Sequence, residues 1–371
     1  MPGMGIVVAY LPNEPFDPGS HESVTRLRIA EKIAGLLGYA FAGERHAGDC
    51  SGRDDRYFIP SQTIVGVEAA RALGIRSSRD LFGGVVPHAF VASKTITHPL
   101  YDGQACAPVG WSAAFPREVA GVVLRGYSAF DADDARRAGC ALLDQTGSVR
   151  VKAATGVGGR DQAVAEDERE LDAAIAALDE GDLRECGVAL EENLTAVTTY
   201  SIGRVQIGDH LATYCGTQKL TRDHAGNEVY GGSALTCARG GFDALMALPL
   251  PADARRAAAQ AQVYDAAADR CFDGFIASRR NYDSVTGRNT EGTAVGGVLE
   301  QSWRIGGASG AEIAALEYFA ENPEARAVRV ECTEAYDAPP VPAGAIVYFD
   351  GVDRKVGRIL KYTTVTPYVD A

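Results

Sequence analysis

Val149–Gln162 reads VRVKAATGVGGRDQ, and the fold is decided by how that stretch is understood. Ser148–Lys152 alternates like a strand and leaves Lys152 near its end. Thr155–Gly159 is then a flexible turn, and Gln162–Val164 a short returning strand. Glycines let backbone N–H groups approach phosphate oxygens with no Cβ in the way. A lysine beside such a turn adds a point charge for the same phosphates. The same letters also describe a plain Gly-rich hairpin carrying a surface lysine. Two common nucleotide motifs are excluded. The turn has no GK[ST] ending. Gly156–Asp161 fails the GxGxxG spacing, and no long helix opens there.

Context downstream favours phosphate. Gly187–Leu190 reads as a strand ending in the acids Glu191 and Glu192, followed by Leu194. Thr198–Cys215 alternates as antiparallel strands around a Gly208–Asp209 turn. Ile276–Tyr282 and Val295–Glu300 are two more short strands, placing Asp283 and Glu300 near neighbouring strand ends. Ser302, Arg304 and the Gly306–Gly307 pair follow. Magnesium asks for one or two carboxylates and leaves its other positions to phosphates and water.

Upstream, Gly5–Leu11 is an apolar strand, and Ser23–Leu37 has helical spacing through Leu27, Ala30, Ile33, Ala34 and Leu37. Glu44–Arg56 is a polar loop, Tyr57–Ile59 a strand, and Val65–Leu73 a helix stopped by Gly74. This order suggests a small open α/β unit. Phe90–Phe115 is irregular, and Val122–Leu124 reads as a strand. Helices are expected over Asp131–Leu143, Glu168–Leu178, the Ala-rich Ala252–Phe272, and Ala311–Phe319, with β-like segments at Ala345–Phe349 and Arg358–Tyr362.

Taken together, the strand-Lys-glycine loop, the acidic hinge, the β-rich segment and the later Asp283 and Glu300 resemble the ATP-grasp superfamily, within it an uncharacterised bacterial branch. The likeness covers roughly residues 85–320. It implies an α/β (α+β) ATP-grasp fold preceded by a small open pre-ATP-grasp domain. The regions would be residues 1–90, then 91–195 with the central and lid part, then 196–371 with the metal-binding acids. The cofactors implied are ATP and Mg²⁺. Lys152 would meet the α/β-phosphates under a loop of Gly156, Gly158 and Gly159. Lys94 resembles the first ATP lysine. Glu191–Leu194 would hold the adenine edge, with Glu191 as its side-chain contact and Glu192 available for the ribose. Asp283 and Glu300 match the Mg²⁺ carboxylates, and Arg304 the residue that steadies the transferred phosphoryl group. Ser302 stands where the family has an asparagine ligand, and the ribose acid falls near Thr198.

The implied activity is an ATP-dependent ligase joining a small-molecule carboxylate, activated as an acyl phosphate, to an amine or similar nucleophile. A small-molecule kinase and a catalytically inactive nucleotide-binding regulator are the alternatives on the same fold.

Composition bounds the rest. The chain has 371 residues, with 36 Lys+Arg against 49 Asp+Glu, for a formal net charge of −13. That argues against a nucleic-acid binder, which needs a basic footprint. No apolar run approaches the roughly 20 residues of a membrane span. No basic-plus-apolar leader opens the sequence, so a cytoplasmic protein is expected. The eight cysteines form no CxxC pair and suit free thiols in a reducing compartment. A homodimer is the default expectation. Only six of the basic residues are lysines, which draws attention to Lys94, Lys152 and Lys219; Lys219 could reach phosphate from the β-rich half. His88 and His98 read as ordinary loop histidines, and Arg279, Arg280 and Arg288 as a solvated or anion-binding cluster around Asp283.

Overall fold

A computed structural model describes residues 5–12, 17–46, 55–154, 162–337 and 339–369. The chain opens with β1 (Ile6–Leu11), α1 (His21–Leu37), β2 (Ala40–His46) and β3 (Arg56–Pro60). The three strands form a parallel sheet in the order β2-β1-β3, so β1 lies in the middle, which suits its apolar run. Ser20 starts α1 by accepting from the Ser23 amide, and Gly38 ends it in the left-handed region at φ 67°. Ile29, Ala30, Ile33 and Ala34 form its buried stripe.

Next come β4 (Ile64–Val65), α2 (Val67–Leu73), β5 (Gly84–Val86), two 3-10 turns at Ala89–Ala92 and Lys94–Thr97, and α3 (Ala114–Val119). The middle region holds β6 (Gly126–Ala129), α4 (Ala132–Thr146), β7 (Val149–Ala153), β8 (Gln162–Ala165), α5 (Glu168–Ala176), α6 (Glu180–Cys186) and β9 (Val188–Glu192). Its antiparallel sheet has the order β6-β9-β7-β8. The helices bury Ala135, Ala138, Leu142 and Leu171 against Val149, Val151 and Leu190 of that sheet.

The largest layer follows. It contains β10 (Thr195–Ile207), β11 (His210–Arg222), β12 (Glu228–Arg239), α7 (Phe242–Met246), α8 (Ala252–Cys271), β13 (Ile276–Ala277), β14 (Arg279–Arg288), β15 (Ala294–Ser302), α9 (Ser309–Glu321), β16 (Ala327–Ala335), β17 (Ile346–Asp353) and β18 (Gly357–Pro367). Eight of these strands make one sheet, β15-β14-β10-β11-β12-β16-β18-β17. One face packs on α1 and α9 through Val205, Tyr214, Leu235, Ile313 and Leu316. The other packs on α8 through Ile202, Cys215 and Tyr282. The alanines of α8 explain its sparse look in the sequence: Ala257, Ala258, Ala261 and Ala268 let the helix lie close to the sheet. β13 pairs with β5, so a late segment completes a sheet begun by the early chain.

Several expectations are corrected. Val122–Leu124 is not a strand; Val123 makes one isolated bridge to Val298, and the strand starts at Gly126. The expected loop from Glu44 begins inside β2, which runs to His46. Two strands the patterning did not reveal are β12, where Gly231 and Gly232 interrupt a β-like pattern, and β16. No helix among the described residues is long and apolar enough to cross a membrane.

Candidate functional site

The 3-10 turn Lys94–Thr97 joins the middle sheet to the large one. Ser93 caps it, accepting from the Thr95 amide at 3.3 Å. Lys94 is 4% exposed, and its Nζ meets Glu300 Oε2 at 2.9 Å. His98 closes the turn, buried, with Nε2 2.9 Å from Glu191 Oε1. The other oxygen of Glu191 pairs with Lys152 Nζ. One turn thus carries a lysine to the acid of β15 and a histidine to the acid of β9.

Glu191 lies on β9 opposite Arg150 of β7, two positions from the Lys152–Ala189 pair. Burial pushes its carboxyl up. The Lys152 ammonium and then the His98 hydrogen bond more than reverse this and hold it at about 2. Gly126 makes room for the histidine: a Cβ there would fall 2.5 Å from the Leu190 carbonyl oxygen and 2.9 Å from the imidazole.

Asp283 stands on β14 directly across from Glu300 on β15. Its Oδ1 is buried with no hydrogen-bond partner among the described residues. Burial, then the negative charge of Glu300, pushes the Asp283 carboxyl up to about 7, while Gln218, Arg279 and Lys94 pull the other way. Two facing carboxylates with an orphaned oxygen are a donor set that fits a divalent cation together with phosphate oxygens. Among the described residues, no group of three or more His, Cys, Asp or Glu could hold a metal by itself.

Alternation along β14 puts Arg279 and Asn281 on the face of Asp283. Arg279 is 1% exposed. Its Nε lies 3.0 Å from both oxygens of Glu312 in α9. Its Nη1 donates to the Ser302 carbonyl at 3.1 Å, to Ser302 Oγ at 3.2 Å and to the Arg304 carbonyl at 2.6 Å. Burial works against its charge, but Glu312 outweighs this and raises its pKa above the ordinary arginine value. Tyr214 donates its hydroxyl to Glu312. Asn281 Nδ2 donates to Ser201 Oγ at 2.7 Å and to the Tyr214 oxygen at 3.2 Å.

Of the residues expected from sequence, Lys94, Glu300 and Asp283 are brought together across the end of β15, and Lys152 is brought to Glu191. Glu191 is already engaged on both oxygens, so its side chain fixes Lys152 more directly than it offers itself to a base. Glu192 accepts from the Arg125 amide at 3.1 Å through its side chain. It lines a recess of about 320 Å³ with Val123, Leu124 and Arg256. Leu194 packs on Leu124 and Val285. The Arg304 side chain donates to the Ile305 carbonyl at 3.0 Å. Lys219 is not brought to these residues. Neighbouring Gln218 acts on Asp283, so Lys219 points to the opposite face, where it pairs with Glu331 at the surface. Gly156, Gly158 and Gly159 lie outside the described residues. The sequence reading missed His98 and Glu312 as parts of the site. It counted Arg279 only as one of a cluster, although the Arg279–Asn281–Asp283 alternation was there to be read.

The family model described as "Protein of unknown function (DUF3182)" matches residues 9–363. The chain belongs to the DUF3182 family. No curated protein matches it. Among solved structures, the DUF3182 chain is similar to a biotin carboxylase complex with β-γ-ATP from Campylobacter jejuni, at 12% identity and TM-score 0.51, covering 97% of this chain and 87% of that one. A D-alanyl-alanine synthetase A from Vibrio cholerae aligns at 12% identity and TM-score 0.45, covering 81% and 89% of the two chains. The fold of this DUF3182 protein is therefore that of the ATP-grasp superfamily.

Proposed function

We propose that the protein is an ATP-dependent ligase that activates a carboxylate as an acyl phosphate for attack by an amine or similar nucleophile. The observation that carries this reading is the facing pair Asp283–Glu300, with one buried and unsatisfied oxygen and with Lys94 paired to Glu300. A lysine beside paired acids suits a polyphosphate with its divalent cation better than any uncharged ligand.

Asp283 and Glu300 would hold Mg²⁺, and bound Mg-ATP supplies the electrophilic γ-phosphoryl group. Lys94 leaves Glu300 for phosphate oxygens. Lys152, oriented by Glu191, neutralises charge on the α/β-phosphates. Arg304 steadies the phosphoryl group as it passes to a carboxylate oxygen. The acceptor oxygen–phosphorus bond forms as the γ-phosphorus–ADP oxygen bond breaks. The nucleophile then attacks the acyl carbon and releases inorganic phosphate. The glycine loop after Lys152 would cover the phosphates and keep water from the acyl phosphate. The Glu192–Leu194 backbone would meet the adenine edge. The working compartment proposed is the cytoplasm, and the working assembly a homodimer.

The test is ADP and phosphate release with panels of carboxylates and amines. ADP release that requires both partners and collapses in Lys152→Met and Glu300→Ala supports the reading. ADP release that needs no acceptor and survives both substitutions removes it. A stable phosphorylated product would identify a kinase instead, and Mg-ATP binding with no turnover on any mixture a regulator.

A further inference from the structure

We propose that the acid pair holds one divalent cation only, and that the Arg279 guanidinium, fixed by Glu312, is a permanent positive charge where a second ion would need its protein oxygen. The inference rests on the ligase reading above and deepens it.

Two-ion phosphoryl-transfer sites place their metals about 3.5–4 Å apart. A second ion beside Asp283 and Glu300 therefore needs a further oxygen one step along the same face. On β15 that residue is Ser302, two positions after Glu300. Its hydroxyl is already an acceptor for Arg279 Nη1 at 3.2 Å, and its carbonyl for the same nitrogen at 3.1 Å. An ion on Ser302 Oγ would meet the guanidinium at contact distance. Across the strand pair, Asn281 commits its amide nitrogen to Ser201, Ile202 and Tyr214, which ties it to the neighbouring strands.

Arg279 is poorly placed to step aside. Its Nε and Nη2 are taken by Glu312, and Nη1 also holds the Arg304 carbonyl at 2.6 Å. Glu312 is itself 1% exposed and takes the Tyr214 hydroxyl. Guanidinium does not deprotonate in proteins, so the charge stays whatever the pH. Lys94 flanks the acid pair on the Glu300 side. The two carboxylates thus have one fixed cation, Arg279, beside them, and their negative charge suffices for one divalent ion shared with phosphate. Glu312 is a positioning residue in this scheme, acting through Arg279 on the Ser302–Arg304 backbone.

The test counts ions on the full chain. Mn²⁺ is titrated in the presence of β,γ-imido ATP and followed by electron paramagnetic resonance. One Mn²⁺ per nucleotide-bound chain is expected, with no exchange-coupled pair. Two ions with nucleotide bound overturn this inference and leave the ligase reading standing. Failure to bind nucleotide removes the ligase reading and this inference with it, so the two failures are distinct. A second arm uses the triple variant Arg279→Met, Glu312→Gln, Ser302→Asn, which removes the guanidinium without stranding a buried charge. If circular dichroism shows it folded, it should gain a second Mn²⁺. A folded triple variant that still binds one ion overturns the role given to Arg279. If the variant does not fold, the count on the unaltered chain decides.

Discussion

Asp283 should make the metal-free protein less stable as the pH rises, the reverse of ordinary acid denaturation. Its carboxyl has an ordinary value of 3.8 and stands at about 7 in the folded chain, because burial and then Glu300 oppose its ionisation. The folded state therefore holds a proton that the unfolded state has released. That stabilisation is complete below the unfolded value and is lost as pH rises through the folded one. Each pH unit of the displacement is worth about 1.4 kcal/mol, so the whole window between pH 4 and 7 is worth up to about 4 kcal/mol. Glu191 does not blur this window. Its carboxyl is held at about 2, and its contribution is lost only as pH falls through that value from its ordinary 4.5. Asp283→Asn keeps the shape and removes the titration. Urea unfolding in EDTA at pH 5 and pH 8 should show the unaltered chain losing about 2–3 kcal/mol more than the variant does. Adding Mg²⁺ with nucleotide at pH 8 should restore stability to the unaltered chain and not to the variant. Equal pH slopes for the two proteins would refute the account of Asp283 as a strained, cation-awaiting carboxylate.

Three further outcomes follow from the same geometry. Lys152→Met leaves Glu191 buried with only His98 beside it and should cost about 3–5 kcal/mol in chemical unfolding, as breaking a buried pair does; Lys152→Met/Glu191→Gln should recover most of that stability without recovering nucleotide binding. Gly126→Ala drives a methyl group into the Leu190 carbonyl and the His98 ring, and should cost about 1–3 kcal/mol as an overpacked site; unchanged thermal unfolding would mean that His98 is not held there. Lys219→Ala removes only an exposed pair with Glu331 and should change stability by less than about 1 kcal/mol while leaving Mg-ATP affinity unaltered in calorimetry; a marked loss of affinity would return Lys219 to the phosphate site.

The elements most legible in the sequence were those with a strong local rhythm. α1 announces itself through a 3.6-residue apolar stripe over Ser23–Leu37, and the helix runs His21–Leu37. β7 and β9 are short apolar strands whose polar ends, Lys152 and Glu191, are the informative residues. The Asp283–Glu300 pairing was legible only as two acids near two strand ends; their register across β14 and β15 is set by a long sheet whose order no local pattern contains. β12 and β16 show why. β12 carries Gly232 at φ 131°, a backbone that side chains rarely adopt, and it is held by pairing on both sides, not by its own propensity.

The harder lesson concerns polar residues whose meaning is a partner far away in sequence. His98 and Glu191 are separated by 93 residues, Arg279 and Glu312 by 33. A histidine in an irregular segment has no rhythm to betray its burial, and one arginine among thirty has no rarity to mark it. Yet the strand rule alone, applied backward from Asp283, puts Asn281 and Arg279 on the same face. A face that carries Arg, Asn and Asp in succession cannot be a plain core face, because each group needs a partner once it leaves water. The partners must then come from the helix that covers it. Glu312 lies in the first turn of α9, one of three acids in that helix, and only the packing of α9 on the sheet makes it the counterion of Arg279. The sequence thus showed that Arg279 needs a partner, while the identity of that partner depends on which helix the sheet buries.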